Sequence, residues 1–380
     1  MSALASARRA RVGARPELRV DLGAVAANTR LFADRAAGEV MAVVKADGFG
    51  HGALAVARTA LANGATWLGV TSIEEALALR TGGLVAPVLS WLNPVDADFT
   101  SAALADVDIA VPSLEHLAAV VAAGRPVRVH LHVDCGMARD GAPPELWRRL
   151  CVHARRAERV GRIQVVGLMG HLGCAEDPAD TCNSIGRTRF AWALEIARAA
   201  GLRPAHRHLA ATAATLSDPR AHHTMSRIGA GLVGIDPSGT VPLRWAMRLT
   251  APVVSVRSVP PGTGVGYGHT WRAPAATRLA LVPLGYADGL PRLASGRASV
   301  LVAGKRCPVV GRISMDQLVV DVGHLDVQPG ELVTLFGPGD RGEPTVADWA
   351  GWAGTLPHEI VTGIGARVTR SIRPATLRSV

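Results

Sequence analysis

The sequence predicts an α/β protein, a (β/α)8 TIM-type barrel followed by a mostly antiparallel β domain. Short apolar runs alternate with longer amphipathic runs up to about residue 235, as expected for parallel strands connected by helices. Beyond about residue 243 the runs are short and separated by Gly/Pro turns, with little helical periodicity before 344–353. A doubly wound open sheet is the competing fold, but the GxGxxG turn expected after its first strand is missing.

Eight segments have the composition of buried strands: 40–45, 66–70, 88–92, 108–111, 127–134, 164–171, 206–211 and 224–228. The stretches between them that we expect to be helical include 51–63, 72–81, 113–123, 144–160 and 185–200. Strands of the β domain are expected at 251–259, 278–283, 298–302, 317–322 and 332–336. These patterns place the barrel at residues 17–240 and the β domain at residues 241–380.

The N-terminal end has a composition of its own. Residues 1–16 are rich in Ala, Arg and Ser, and no acidic residue occurs before Glu17. An organellar transit peptide has a similar composition. We interpret residues 1–16 as a disordered N-terminal tail, because chain ends that nothing ties down are commonly disordered.

The chain is basic, with 41 Lys+Arg against 31 Asp+Glu and a net charge of +10. Nucleic-acid binding is one explanation, but aromatic residues make up only 4% of the sequence and no DNA-reading motif is present. We attribute the charge to a solvated, arginine-rich surface. No apolar run reaches the ~18 residues of a membrane span. Neither a nucleic acid nor a membrane is therefore an expected partner.

The number and spacing of the cysteines indicate the redox environment in which the protein works. Five are present, at positions 135, 151, 174, 182 and 307, and they form no CxxC pair. Reduced cysteines in a cytoplasmic protein explain this pattern most simply.

Lysine is scarce, since it occurs only at Lys45 and Lys305. Arginine cannot present a neutral amine, whereas lysine can, so a lysine in an arginine-rich sequence indicates a position that needs amine chemistry. Lys45 ends the first predicted strand, and a glycine-rich turn follows it. This arrangement suits Schiff-base chemistry with an aldehyde cofactor. A lysine whose ammonium group simply reaches solvent is the alternative.

Other polar residues also fall at predicted strand ends, where the active site of a parallel barrel lies. Backbone N–H groups after the last two strands are placed to bind a phosphate, which makes a phosphorylated aldehyde a consistent cofactor. Taken singly, His171 is explained more simply as a core histidine with satisfied hydrogen bonds. The strand-end side chains are Lys45, Asp134, Arg139, His171 and Arg227, and the phosphate candidates are Thr212, Gly229 and Ala230.

Tyrosine is equally scarce, at Tyr267 and Tyr286. Both lie in Gly-rich loops of the predicted β domain, and residues 311–317 form a third loop of this kind. A bulky residue flanked by glycines is exposed or close to another backbone. Ordinary packing within a turn is the alternative to a functional role.

With these motifs in this order, the sequence resembles the alanine racemases, the barrel-type enzymes that use pyridoxal 5′-phosphate (PLP). The resemblance extends from about residue 17 to residue 373. It implies a homodimer that interconverts L- and D-alanine with shared active sites. The segments that carry it, in the family's order, are AVVKADGFGHG, VDCGMARDG, GLMGHLGCAEDP, SRIGAGLVGI, GVGYGHTW, VPLGYADGLPR and GRISMDQ.

The resemblance implies two catalytic residues, because racemisation removes a proton from one face of the substrate and returns one to the other. Lys45 would hold PLP and act as one proton carrier, and Tyr267 of the partner subunit would be the second. Arg139 would contact the phenolic oxygen of PLP and Arg227 its pyridine nitrogen, while His171 would link Tyr267 to Arg227.

The remaining implied contacts form two sets. The further cofactor-binding positions are Phe49, Thr212, Gly229 and Ala230. The substrate-binding positions are Arg139, Tyr286, Met315 and Asp316.

The chain departs from the family pattern at several positions. His132 stands where many members have a lysine, often carbamylated, whose negative charge offsets Arg139, and a neutral imidazole cannot supply that charge. Other replaced positions are Phe49, Ala211, Thr212, Val233 and Ala366. They lead us to expect fewer phosphate contacts, and they leave open a racemase of a different amino acid.

Two further alternatives differ in what they require. A non-catalytic PLP-binding protein would need no second acid/base group, so Tyr267 argues against it. Barrel PLP decarboxylases generally place an acidic residue against the pyridine nitrogen, where this chain has Arg227.

Overall fold

The structure is a computed structural model that describes residues 15–375. The predicted tail therefore lies, apart from its last two residues, outside the described residues. The chain divides into two compact units, one spanning Val25–Arg244 and the other combining the residues up to Ala24 with those from Trp245 onward. Within residues 15–375, none of the helices combines the length and the apolarity that crossing a membrane requires.

Strands and helices are numbered along the chain. The strands are β1 (Glu17–Asp21), β2 (Glu39–Val43), β3 (Trp67–Val70), β4 (Val88–Ser90), β5 (Val107–Val111), β6 (Val127–His132), β7 (Ile163–Met169), β8 (His206–His208), β9 (Met225–Ile228), β10 (Met247–Pro252), β11 (Ser255–Val259), β12 (Gly264–Val265), β13 (Trp271–Arg272), β14 (Thr277–Val282), β15 (Ser299–Val302), β16 (Lys305–Val310), β17 (Leu318–Asp321), β18 (Leu332–Phe336) and β19 (Thr369–Arg373). The helices are α1 (Leu22–Arg35), α2 (Lys45–Gly50), α3 (Ala53–Leu61), α4 (Ile73–Thr81), α5 (Phe99–Leu104), α6 (Leu114–Ala122), α7 (Pro144–Arg159), α8 (Thr181–Ala199), α9 (Thr212–Ser217), α10 (Val346–Ala353) and α11 (Pro357–Gly363).

The Val25–Arg244 unit is built on an eight-stranded sheet in the order β8-β7-β6-β5-β4-β3-β2-β9. All its strand pairs are parallel. The Arg227 N–H donates to the Ala210 carbonyl at 3.0 Å, and Ala211 bridges to Arg227, so the two end strands meet and close the barrel. The predicted barrel is confirmed, and each predicted strand segment overlaps one of its strands.

Helix starts follow their capping residues. Ser72 and Ser113 accept backbone N–H bonds at the starts of α4 and α6, as serine commonly does at an N-cap. Asp180 caps α8, which therefore begins four residues before the predicted helix at 185. Helix α1 was not identified from the sequence. Its Asn28 amide donates to the Leu232 and Arg244 carbonyls at 3.2 and 2.8 Å.

The second unit contains a nine-stranded sheet in the order β11-β14-β17-β16-β15-β18-β10-β1-β19. Strand β1 pairs with β10 and β19 in this sheet, which differs from the predicted start of the barrel at residue 17. Its Leu18 and Val20 are buried while Arg19 between them is exposed. That alternation suits a sheet with one covered face, whereas the barrel strand β5 is buried at every position.

The predicted strand at 251–259 is two strands. β10 pairs with β18 and β11 pairs with β14. Between them, the Val253 N–H donates to Glu331 and the Val254 N–H donates to Leu281, each at 2.8 Å. The chain therefore changes partner within one apolar run, which composition alone does not reveal.

Two of the five cysteines are bonded. Cys174 and Cys182 form a disulfide, whereas Cys135, Cys151 and Cys307 are free and buried. The expectation of reduced cysteines was wrong for this pair. The start of α8 beside its Asp180 cap brings the two Cα atoms to 6.3 Å, which is within disulfide range.

Candidate active site

Lys45 lies at the C-terminal end of the barrel strands and opens an unusual turn. Residues 46–49 all have positive φ, from 50° at Ala46 to 62° at Gly48. Left-handed backbone costs a non-glycine residue about 1–2 kcal/mol, so neighbouring groups must hold this turn. Glu75 accepts the Ala46 N–H at 2.7 Å, and Asp47 accepts the Ala53 N–H at 2.8 Å.

The surroundings of Lys45 favour its neutral form. Burial lowers the pKa of the Lys45 amine, the charge of Arg139 lowers it further, and the charge of Glu75 raises it. Because deprotonated amine is the nucleophilic form, these effects move Lys45 towards the chemistry predicted from its scarcity. Glu75 was not among the predicted site residues.

Arg227 is buried at the end of β9, and five contacts fix its guanidinium group. Nη1 donates to His208 Nδ1 at 2.9 Å and to the His208 carbonyl at 2.7 Å. Nη2 donates to the Gly170 carbonyl at 2.7 Å, to His171 Nδ1 at 3.1 Å and to the Leu209 carbonyl at 3.3 Å. Burial lowers the pKa of Arg227 to about 10, so the group remains charged at neutral pH.

His171 has a defined protonation state. Arginine has no acceptor, so His171 Nδ1 must accept from Arg227 and Nε2 must carry the ring proton. Burial, followed by the charge of Arg227, lowers the pKa of His171 to about 3. Arg139, His132 and Lys45 lower it as well. The predicted strand-end residues therefore lie near one another, and His171 is a neutral donor at Nε2.

The predicted phosphate-binding residues also converge. Thr212 Oγ1 accepts the N–H groups of Gly229 and Gly231 at 3.4 and 3.2 Å. A Cβ on Gly229 would lie 2.8 Å from Phe49 Cζ, so only a glycine lets the phenyl ring pack there. Ala230 begins the 3₁₀ turn that follows. The turn after β9 is thus fixed between Thr212 and Phe49.

The loop that carries Arg139 is held by Asp134, whose Oδ1 accepts the N–H groups of Gly136, Met137 and Ala138 at 2.8, 3.0 and 3.2 Å. Arg139 itself is exposed.

His132, which replaces the family lysine, has an acidic partner. Its Nδ1 lies 3.3 Å from Asp140 Oδ2. The neighbouring His132 side chain lowers the pKa of Asp140, which keeps the carboxylate ionised. Asp140 was not predicted, although the sequence places it next to Arg139. A negative charge is therefore present beside His132 without a modified lysine.

The predicted residues of the β unit lie on adjacent loops. The Tyr286 N–H donates to the Ser314 carbonyl at 3.0 Å, and the Ala287 N–H donates to the Met315 carbonyl at 3.0 Å. Tyr267, Tyr286 and Met315 are 71%, 42% and 53% exposed. Asp316 forms an ion pair with Arg367 at 2.7 Å.

Sequence reasoning also missed three buried polar residues inside the barrel, Asp108, His130 and His208. Asp108 opens a predicted apolar strand, and a carboxylate there indicates a buried partner. His130 and His132 are two residues apart on β6 and so share a face. These patterns were visible in the sequence, but the pairing of the residues was not.

Comparison with known proteins identifies the family. Residues 20–237 match the family described as alanine racemase, N-terminal domain, and residues 246–372 match alanine racemase, C-terminal domain. The alanine racemase of Thermobifida fusca is 46% identical over 362 residues, which cover 93% of this chain and 97% of the relative.

Solved structures agree. The alanine racemase from D-cycloserine-producing Streptomyces lavendulae has a TM-score of 0.92 at 40% identity, with 96% of this chain and 98% of that chain covered. The alanine racemase from Bartonella henselae, described with covalently bound pyridoxal phosphate, has a TM-score of 0.85 at 26% identity, with coverages of 95% and 100%. The chain therefore belongs to the alanine racemase family.

Proposed function

We propose that this chain is a PLP-dependent alanine racemase that works as a cytoplasmic homodimer, with Lys45 and Tyr267 as its two acid/base groups. One observation carries the proposal. An amine with a lowered pKa shares the end of the barrel with Arg227, a buried cation that no carboxylate of the described residues contacts. Amine chemistry next to a permanent donor supports racemisation over decarboxylation.

The residues at this end of the barrel fit PLP. Lys45 offers the amine for covalent attachment, and Arg227 and Arg139 offer donors for the ring nitrogen and the phenolic oxygen. Beside the turn held by Thr212, the backbone N–H groups of Ala230 and of Thr212 at the start of α9 are candidates to bind the phosphate. When bound, PLP would withdraw electrons from the substrate Cα and thereby ease loss of the α-proton.

The acid/base work falls to two side chains. Lys45 Nζ accepts or returns a proton on one face of the substrate. The hydroxyl group of Tyr267 from the partner subunit serves the other face, and His171 Nε2–H is a donor suited to orient that hydroxyl. Two such groups are needed because racemisation exchanges the face that carries the proton.

The exposed residues of the β unit support the homodimer. Tyr267, Tyr286 and Met315 are large side chains on neighbouring loops, and each is more than one third exposed. Aromatic residues and methionine are enriched at protein interfaces. We infer that a second copy covers these loops and that Tyr286, Met315 and Asp316 border the substrate.

Arg227 accounts for reaction specificity. With a pKa of about 10 it keeps its protons at neutral pH, so a ring nitrogen that faces it must accept rather than donate. An unprotonated ring nitrogen withdraws electrons less strongly, which limits side reactions such as transamination.

Alanine is the substrate that the relatives' names support, and a racemase of another amino acid is less favoured. The three free, buried cysteines support a cytoplasmic location. In that reducing compartment the Cys174–Cys182 disulfide would be in equilibrium with its two free thiols. We expect neither a nucleic acid nor a membrane as a partner.

Lys45→Ala tests the proposal, and Lys305→Ala is its matched control because Lys305 is the other lysine and is exposed. We expect Lys45→Ala to lose the visible absorbance band of lysine-bound PLP and to lower α-proton exchange of alanine in D₂O by at least about 10²-fold. Lys305→Ala should retain both. A wild-type protein that binds PLP but exchanges no α-proton across an amino-acid panel would refute racemisation. Exchange that is fastest with another amino acid would change the assigned substrate.

A further inference from the structure

A chain of buried polar side chains crosses the barrel interior from Arg227. Nη1 of Arg227 lies 2.9 Å from His208 Nδ1, and His208 Nε2 lies 2.8 Å from His130 Nδ1. His130 Nε2 lies 3.3 Å from Asp108 Oδ2. Both histidines and Asp108 are fully buried. None of these three side chains has a role in the proton transfers described above.

The chemistry of the two ends gives this chain one direction. Arg227 can only donate, so His208 Nδ1 accepts and its Nε2 carries the proton. His208 Nε2–H then donates to His130 Nδ1, which leaves the His130 proton on Nε2. That proton points to the carboxylate of Asp108, which can only accept when ionised. Each imidazole is therefore neutral with its proton on Nε2. Burial, which lowers the pKa of both His208 and His130, agrees with this state.

The chain also connects two charges. The direct partners of Arg227 are carbonyl groups and imidazoles, so its buried charge lacks a directly contacting anion among the described residues. Asp108 is the anion at the far end. Arg128 fixes that carboxylate, with Nε 2.8 Å from Oδ1. An uncompensated buried charge is costly, and two polarised imidazoles can transmit the compensation through hydrogen bonds.

The backbone leaves space for this arrangement. Gly167 on β7 pairs with His130 on β6, next to a register shift between Val129 and His130. A Cβ on Gly167 would lie 1.9 Å from His130 Nδ1, the atom that accepts from His208. Any other residue at position 167 would displace the imidazole from the chain.

We infer that Asp108, His130 and His208 form a positioning relay that fixes the guanidinium group of Arg227 through two imidazoles of defined tautomer. The inference deepens the proposed function, since it rests on the role of Arg227 beside the PLP ring. The three residues act through Arg227 and do not touch the reacting atoms. The relay holds the donor direction of Arg227 constant while substrate is bound and released.

The tautomers are the first measurement. In ¹⁵N-histidine-labelled holoprotein, with His130→Gln and His208→Gln used for assignment, both rings should carry the proton on Nε2 from about pH 6 to about pH 8. A proton on Nδ1, or a cationic ring, at either position would overturn the relay. This result does not depend on whether the protein racemises alanine, so it separates failure of the relay from failure of the proposed function.

Asp108→Asn is the second measurement, with Asp106→Asn as its matched control. Arg128 contacts both carboxylates, but the Asp106 side chain is 70% exposed and is not part of the chain to Arg227. In Asp108→Asn the donors of Arg128 take the amide oxygen, so the amide nitrogen faces His130 Nε2. His130 Nε2 must then give up its proton to become an acceptor for the amide, so the His130 proton moves to Nδ1.

We expect Asp108→Asn to lower kcat about 10–100-fold, by analogy with the loss seen when a partner that orients a metal-binding side chain is removed. KM should change little, and the absorbance of bound PLP should shift. Asp106→Asn should leave the tautomers, kcat and the spectrum as in the wild type. If Asp108→Asn behaves like Asp106→Asn, the relay is wrong. If Asp108→Asn does not fold, the wild-type tautomers decide the question.

Discussion

Replacing Glu75 by glutamine should loosen the turn that carries Lys45 and make its amine less basic. One carboxylate oxygen accepts the Ala46 N–H at 2.7 Å. The other accepts the N–H and the hydroxyl group of Thr71 at 2.8 and 2.9 Å. Glutamine keeps one acceptor oxygen and presents an NH₂ group in place of the other. The backbone N–H of either Ala46 or Thr71 must therefore face the NH₂ group of the glutamine, so that two donors meet and one hydrogen bond is lost.

The magnitude follows from these contacts. A hydrogen bond to a charged group contributes about 1.5–3 kcal/mol, so losing at least one should lower the free energy of unfolding by roughly that amount. Glu75 also raises the pKa of Lys45, and its neutralisation should lower that pKa. Between the lowered folded pKa and the ordinary value of 10.5, the unfolded chain binds more protons. Stability therefore rises with pH across this interval, and Glu75→Gln should extend the interval to lower pH.

Two assays check this expectation, with Glu74→Gln as the control on the exposed face of the same helix. Urea unfolding of the apoprotein gives the stability loss. The rate of covalent PLP uptake against pH follows the neutral fraction of Lys45, and its midpoint should move to lower pH in Glu75→Gln. If both variants match the wild type in both assays, the contacts of Glu75 do not support the turn.

Tyr267→Phe should slow proton exchange from one alanine enantiomer more than from the other, by about 10²–10⁴-fold on the affected face; equal losses in D₂O exchange from L- and D-alanine would contradict two bases. Asp140→Asn should remove a carboxylate whose pKa is lowered below 3.8 by His132. We expect this pair to contribute about 1 kcal/mol to the free energy of unfolding above pH 3.8 and to lose that contribution as the pH falls below it. Urea unfolding at about pH 6 and about pH 3 measures it, and an equal deficit at both values would argue against the pair. After air oxidation, Cys174 and Cys182 should react with an alkylating reagent only once a reductant is added; mass spectrometry that finds both labelled in the oxidised protein without reductant would exclude the bond.

The barrel could be predicted because its strands are buried on both faces. A strand such as β3 is a continuous apolar run that is buried at every position, and local sequence alone is enough to identify it. Strand β1 could not be assigned in this way, because its partners β10 and β19 are supplied by residues more than two hundred positions away. Its alternating pattern indicates a half-covered sheet, but not which sheet.

The site residues likewise divide into those that local sequence reveals and those that depend on distant contacts. Lys45 and Tyr267 are conspicuous because their residue types are rare in this chain. Glu75, Asp140 and the relay residues are ordinary residue types whose roles depend on contacts across the fold. Asp108 and His130, for example, are 22 residues apart and meet only because β5 and β6 are neighbours.

The left-handed turn at residues 46–49 limits how this site could be moved to another scaffold. A peptide with only the amino-acid sequence of this turn would adopt right-handed backbone conformations, which L-residues prefer. The groups that hold the turn come from elsewhere, namely the Glu75 carboxylate of α4 and the Ala53 N–H of α3. The smallest portable piece is thus a lysine-bearing loop together with two supporting helices, and a protein engineer would have to graft all three.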